Sequence, residues 1–141
     1  MKKNTKYLNI IIILLITIVI SGCSNENKKC INEHSNIKTT FNFKYNKNTK
    51  NIDKININYI YNYDKYDAYI DMQMIELENK YKEFDNIEGF NYKIKKNYDN
   101  IIVDVIIDNN ENLKSIDFKL PFDLNDDITT VLKKLNNYNC N

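Results

Sequence analysis

Cys23, reached through Ile20-Ser21-Gly22, is the residue of this chain best placed for a covalent reaction. A small-residue cleavage site that ends on cysteine, directly after an apolar run, looks like a lipobox. In such a site the cysteine takes up lipid, palmitate among the acyl groups, and becomes the first residue of the mature chain. Lys2, Lys3 and Lys6 supply a charged n-region, and residues 10–20 an apolar h-region broken by Thr17 alone. That h-region is too short to span a bilayer and has the proportions of a secretory signal.

Two further cysteines, Cys30 and Cys140, sit at opposite ends of what cleavage would leave. With Cys23 consumed by lipid they form an even pair in an oxidising compartment, where disulfides persist. A bridge between them closes a loop of about 110 residues and contributes on the order of 4–5 kcal/mol in the chain-entropy model. The alternative is two free buried thiols. Metal binding is disfavoured, because His34, the chain's one histidine, has no ligand-spaced partner.

The other chemistry-bearing residues each have a plainer reading. His34 stands in a polar run, where an exposed side chain is expected and not a catalytic base. Asp108, Asn110 and Asn112 imitate the first half of a calcium loop, but Leu113 takes the place of the sharp-turn glycine and Lys119 that of the bidentate acid. Asp126-Asp127 is an acid pair, yet at a helix start it suits the dipole better than a cation. Tyr59, Tyr61, Tyr63, Tyr66 and Tyr69 could stack on sugar rings; period-2 spacing equally fits core tyrosines with a polar tip. Exposure on a helix-free sheet face discriminates the two. There is no Gly-rich loop for a phosphate or dinucleotide.

Positioning these residues is the work of 119 of the 141 residues once 1–22 are removed, enough for one domain. Three of the 20 lysines leave with the signal, so 17 stand against 19 Asp+Glu, and arginine is absent. A mildly acidic surface without Arg forks argues against nucleic acid. Residues 23–29 are polar and read as a tether. Alternation then places Ile37, Thr39, Phe41, Phe43 and Tyr45 on one strand face, and Ile55, Ile57, Tyr59, Tyr61 and Tyr63 on another, joined as a hairpin. Asn is the residue available for turn positions that need positive φ. Asp64 reads as the N-cap of a helix with Ile70, Met74, Leu77, Tyr81 and Phe84 on its buried face, and Gly89 as its stop. Phe90, Tyr92 and Ile94 begin a strand, residues 101–107 a central one, and Ile116, Phe118 and Leu120 a further short one. Asn125-Asp126-Asp127 opens a last helix with Ile128, Val131, Leu132 and Leu135 buried.

The lipobox at Cys23, Lys29-Cys30, Thr39-Thr40 leading a strand to Tyr45, Lys80-Tyr81 with Gly89, the strand at 101–107, and the closing helix at 130–135 before Cys140 together carry a resemblance. The chain resembles the YehR-like family of small bacterial lipoproteins. That resemblance implies an α+β domain on an acylated cysteine and, with two further cysteines, a terminal disulfide; it implies no activity. Asn stands where relatives put turn glycines, around residues 46–49.

The expectation is an α+β fold, an antiparallel sheet of four to five strands with two helices on one face, in the order β-β-α-β-β-(β)-α. Residues 1–22 are the signal, 23–29 the tether and 30–141 the domain. The expected protein is not an enzyme and uses no cofactor. It is lipid-anchored through Cys23 at the extracytoplasmic face of the cell membrane and binds an envelope protein or glycan, with Tyr59, Tyr61 and Tyr63 as candidate ligand residues. The alternative is an envelope hydrolase, or an inhibitor of one, acting through the exposed sheet face.

Overall fold

A computed structural model of the chain describes residues 24–63, 69–108 and 118–141. Among these residues six strands form one sheet: β1 (Asn25–His34), β2 (Ile37–Asn46), β3 (Ile52–Asn62), β4 (Phe90–Lys96), β5 (Asn100–Asp108) and β6 (Asn139–Cys140). Their spatial order is β4-β5-β3-β2-β1-β6, and every neighbouring pair is antiparallel. Helices α1 (Ile70–Lys82) and α2 (Ile128–Lys134) complete the set. Cys23, the leader and Asp64 lie outside the described residues.

This architecture corrects the expected fold. The sheet has six strands, not four to five, and the chain order is β-β-β-α-β-β-α-β. The first error is β1. Residues 25–29, expected as a tether, are the first half of a strand whose ladder with β2 runs from Asn25 opposite Asn46 to His34 opposite Ile37. Cys30 and Ile31 are its two apolar residues, so alternation of hydrophobicity has almost nothing to mark. Backbone pairing alone extends the strand. Its turn into β2 uses Ser35 at φ 53°, the mirror-turn conformation that matches strand twist.

The second error concerns residues 116–120. Ile116 lies outside the described residues, and Phe118 to Leu120 belong to no strand. Their alternation is real and continues through Phe122 and Leu124, each of which turns to the core. The segment lies across the sheet face, not in the sheet. Period 2 reports which residues face inward; it does not report whether the backbone has a ladder partner.

The β2–β3 hairpin forms as expected. β3 and β4 then run the same way, with β5 inserted between them and antiparallel to both. α1 carries the crossover. Its inward residues are Leu77 and Tyr81, and Phe84 follows in the turn; Tyr81 lies 5.3 Å from Tyr92, and Phe84 4.8 Å from Phe90. Gly89 does not stop the helix, which ends seven residues earlier. At φ 85° it shapes the entry into β4.

One face of the sheet is apolar: Cys30, Phe41, Phe43, Ile55, Ile57, Ile101, Val103, Val105 and Ile107 are all buried. The chain after β5 covers it. Phe118 meets Phe84 and Phe90, Phe122 stands edge-on to Phe41 and Phe43, and Tyr138 lies 5.5 Å from Phe41. Between them Ile128, Val131 and Leu135 of the α2 region fill the core. This C-terminal arm therefore sweeps from above β4 to the opposite edge. There β6 pairs with β1, and Cys30 and Cys140 are joined by a disulfide. Lys29 and Asn141 exchange both backbone hydrogen bonds (3.1 and 2.9 Å), which makes Cys30–Cys140 the adjacent non-hydrogen-bonded pair, where side chains come closest.

The bridge spans a sequence separation of 110 residues and pins the end of the arm. Reduction, or Cys30→Ala with Cys140→Ala, is expected to lower unfolding free energy by up to about 4–5 kcal/mol. Urea denaturation of oxidised and reduced protein measures the difference. An unchanged midpoint would show that β6 holds without its covalent tie.

Candidate functional site

Tyr59, Tyr61 and Tyr63 follow Ile55 and Ile57 on the apolar face, so they lie on the helix side of the sheet and not on the open one. All three are half-buried against the core. Tyr59 and Tyr61 pack ring to ring at 6.3 Å. Burial pushes the Tyr59 hydroxyl well above its ordinary range, with smaller contributions from Tyr61 and Tyr138. Tyr81 moves the same way, again chiefly through burial. The strand tyrosines are thus packing residues, and burial favours the protonated form of Tyr59 and Tyr61. Tyr66 lies outside the described residues; Tyr69 is exposed at the start of α1.

Beside them, toward the sheet edge, is an open groove of about 550 Å³ lined by Asn32, His34, Ile37, Thr39, Asn137 and Tyr138. β1 and β2 supply four of these residues from the end of their hairpin. The C-terminal arm supplies the other two, held in place when Asn32 Nδ2 donates to the Asn137 carbonyl at 3.3 Å. Ile37 is 41% exposed although it begins the inward row of β2. The groove therefore has an aromatic and an aliphatic wall, with amide, hydroxyl and imidazole groups around them.

A second, smaller depression of about 250 Å³ lies at the opposite end of β1 and β2. Asn27, Lys28, Lys29, Asn42, Phe43, Lys44, Asn56 and Asn141 line it, and most of them belong to the helix-free face. That face is polar, with Asn58 Nδ2 donating to Asp104 Oδ1 at 2.7 Å across β3 and β5.

The carboxylate candidates resolve into structural roles. Asp127 is the N-cap of α2 and accepts from the Thr130 amide at 2.8 Å. Asp126 accepts from Lys134 Nζ at 2.6 Å and from the Asp123 amide at 2.9 Å. Burial is the largest single influence and opposes its charge, but the hydrogen bonds from Lys134 and the Asp123 amide, with the charge of Lys134, together hold the carboxyl below its usual value. Asp108 pairs with Lys54 at 2.9 Å, while Asn110 and Asn112 lie outside the described residues. Among the described residues no three His, Cys, Asp or Glu side chains gather as a metal site. No helix among them is long and apolar enough to cross a membrane.

Comparison with family models, with curated proteins and with solved structures finds no match for this chain. The groove was not legible in the sequence as a unit. Asn32 and Asn137 are 105 residues apart, and they meet because β6 lies beside β1.

The buried tyrosines give an alkaline signature. Their neutral form is favoured in the folded state, so the unfolded chain releases these protons first as pH rises. Stability is fully present below about pH 10, the ordinary tyrosine value, and falls above it. Absorbance titration is expected to show Tyr59 and Tyr81 ionising together with the loss of folded circular dichroism. Ionisation of Tyr59 and Tyr81 in a protein that keeps its folded circular dichroism would contradict the packing.

Proposed function

We propose that this protein is a lipid-anchored, non-catalytic binding module on the extracytoplasmic face of a cell membrane. It takes a hydroxylated ring ligand of the cell envelope, such as a glycan, in the groove around His34, Ile37 and Tyr138. The observation that carries this reading is the placement of the groove relative to the lipobox. Ser24 alone separates Cys23 from β1, and the groove lies at the far end of that 10-residue strand. At about 3.4 Å per residue the strand sets the groove about 30 Å from the anchor.

The lining chemistry supports the ligand class. An aromatic ring and a branched aliphatic side chain offer apolar contact to a sugar face, while Asn, Thr and His supply hydrogen bonds to its hydroxyls. A disulfide-closed domain suits an oxidising compartment. The resemblance to YehR-like lipoproteins agrees with the anchor. Each buried CH₂ contributes roughly 0.8 kcal/mol, so a cysteine with two or three acyl chains stays at the membrane.

Two measurements test the reading. Intact mass of the native product is expected to show cleavage before Cys23 and lipid on it; a bare thiol with the leader attached would remove the anchor. In acylated protein held in detergent, soluble wall-type oligosaccharides are expected to shift the His34 ring resonance, which is unique in this chain. Ile37→Glu should weaken binding at least about tenfold, or 1.4 kcal/mol, with melting little changed because Ile37 is exposed. An unmoved His34 signal, or equal affinity in the variant, would exclude the groove.

A further inference from the structure

Cys23 is followed by almost no slack. Ser24 is the one residue between it and β1, and its carbonyl accepts from the Lys47 amide at 2.7 Å. The residue next to the proposed acylation site is thus fastened to the β2–β3 turn. That turn is itself well ordered by hydrogen bonds: Asn46 Oδ1 accepts from the amides of Asn48 (2.9 Å) and Thr49 (3.0 Å), and Lys50 donates its amide to the Asn46 carbonyl at 2.8 Å. Consecutive Cα atoms are about 3.8 Å apart, so the two peptide links before Asn25 give at most about 8 Å of reach. A flexible tether would let the domain tumble; this linkage forces one end of the sheet against whatever surface holds Cys23.

The side chains at that corner are biased toward lysine. Lys28 and Lys29 come from β1, Lys44 from the end of β2, and Lys47 and Lys50 from the exposed turn. The nearest acid, Glu26, is already engaged: Tyr45 donates its hydroxyl at 2.8 Å and Lys47 its ammonium at 3.0 Å. Asp53 is exposed beside the turn. Asp127, on the helix side of the same end, accepts from the Thr130 amide and keeps its charge. Lys54 is balanced by Asp108 at 2.9 Å. Among the described residues, Lys28, Lys29, Lys44, Lys47 and Lys50 therefore outnumber Glu26, Asp53 and Asp127 here, and the excess lies on the β1–β2 side, where the depression of about 250 Å³ opens between Asn27, Lys29, Lys44 and Asn56.

We propose that this corner, with Lys28, Lys29, Lys44, Lys47 and Lys50, rests on anionic lipid headgroups of the membrane that holds the acyl chains. The proposal rests on the lipid anchor at Cys23. Headgroup phosphates then lie within a Debye length of about 8–10 Å, close enough for unscreened attraction. The contact orients the module: β1 stands away from the bilayer and the groove faces outward. Each lysine near such a surface strengthens association about fivefold at moderate salt.

The test is lysine footprinting of native, acylated protein on vesicles of phosphatidylcholine, with and without phosphatidylglycerol. The intact mass of the same sample records the state of Cys23. On anionic vesicles, amine-reactive labelling of Lys44 and Lys47 is expected to slow several-fold relative to Lys93 and Lys95 on β4, and to recover in high salt. Lys44→Glu with Lys47→Glu should lose the anionic-lipid protection of Lys28 and Lys29 while the protein stays membrane-bound. Equal labelling of Lys47 and Lys95 on both vesicles, with lipid on Cys23, would overturn this contact and leave the anchor standing. Absence of lipid on Cys23 would overturn both.

Discussion

The structure depends on how one apolar sheet face is kept from water. Strands β2 to β5 present a continuous row of Phe, Ile and Val, and the two short helices among the described residues are too small to cover it unaided. The remainder is covered by the C-terminal arm, an extended segment that crosses the face on Phe118, Phe122 and Tyr138. Such an arm gives little local hydrogen bonding in return for the chain entropy it loses. It is held at its far end by β6 and the Cys30–Cys140 bridge, which place Cys30 wholly out of solvent beside Phe41. The bridge therefore closes the core and at the same time brings the two ends of the described chain together.

That closure also shapes the surface. Because β6 adds to β1, residues from both chain ends line the groove, and Asn137 and Tyr138 meet Asn32 and His34 there. The opposite end of the same two strands carries the lysine-rich corner and Ser24. Two surfaces of different chemistry thus occupy the two ends of one rigid hairpin. Their separation is set by strand length, which side-chain motion does not alter.

A sheet with two edges must avoid pairing with other chains. β4 is one edge, and Lys93, Lys95 and Lys96 stand along it; β1 is covered by β6 at Cys30 and Ile31 and carries Lys28 and Lys29 nearby. Charged edges of this kind discourage edge-to-edge association. Turn chemistry is handled without much glycine. Among the described residues the positive-φ positions fall on Ser35, Lys50 and Gly89 and not on the abundant asparagines. Asn46 acts instead through its side chain, which gathers the amides of the turn. Asparagine can shape a turn either by backbone permissiveness or by side-chain acceptance, and here the second applies.

What the amino-acid order determined by itself was the inward set of each apolar strand and the buried stripes of both helices; it left Cys30 and Cys140 as either a pair or two free thiols. Period-2 and period-3.6 repeats record burial directly, whereas the pairing of Cys30 with Cys140 is decided where β6 meets β1. Where hydrophobicity carried no signal, as in β1, the strand was invisible, because a ladder of backbone hydrogen bonds imposes no side-chain requirement. Where the signal was present but ambiguous, as around Phe118, alternation could not separate a strand in the sheet from a segment lying on it. The tyrosine row was likewise two-valued until the helices were placed over its face. Only tertiary structure decided these points, since each depends on which distant residues come to lie alongside: β6 beside β1, the arm across the sheet, and Asn137 against Asn32.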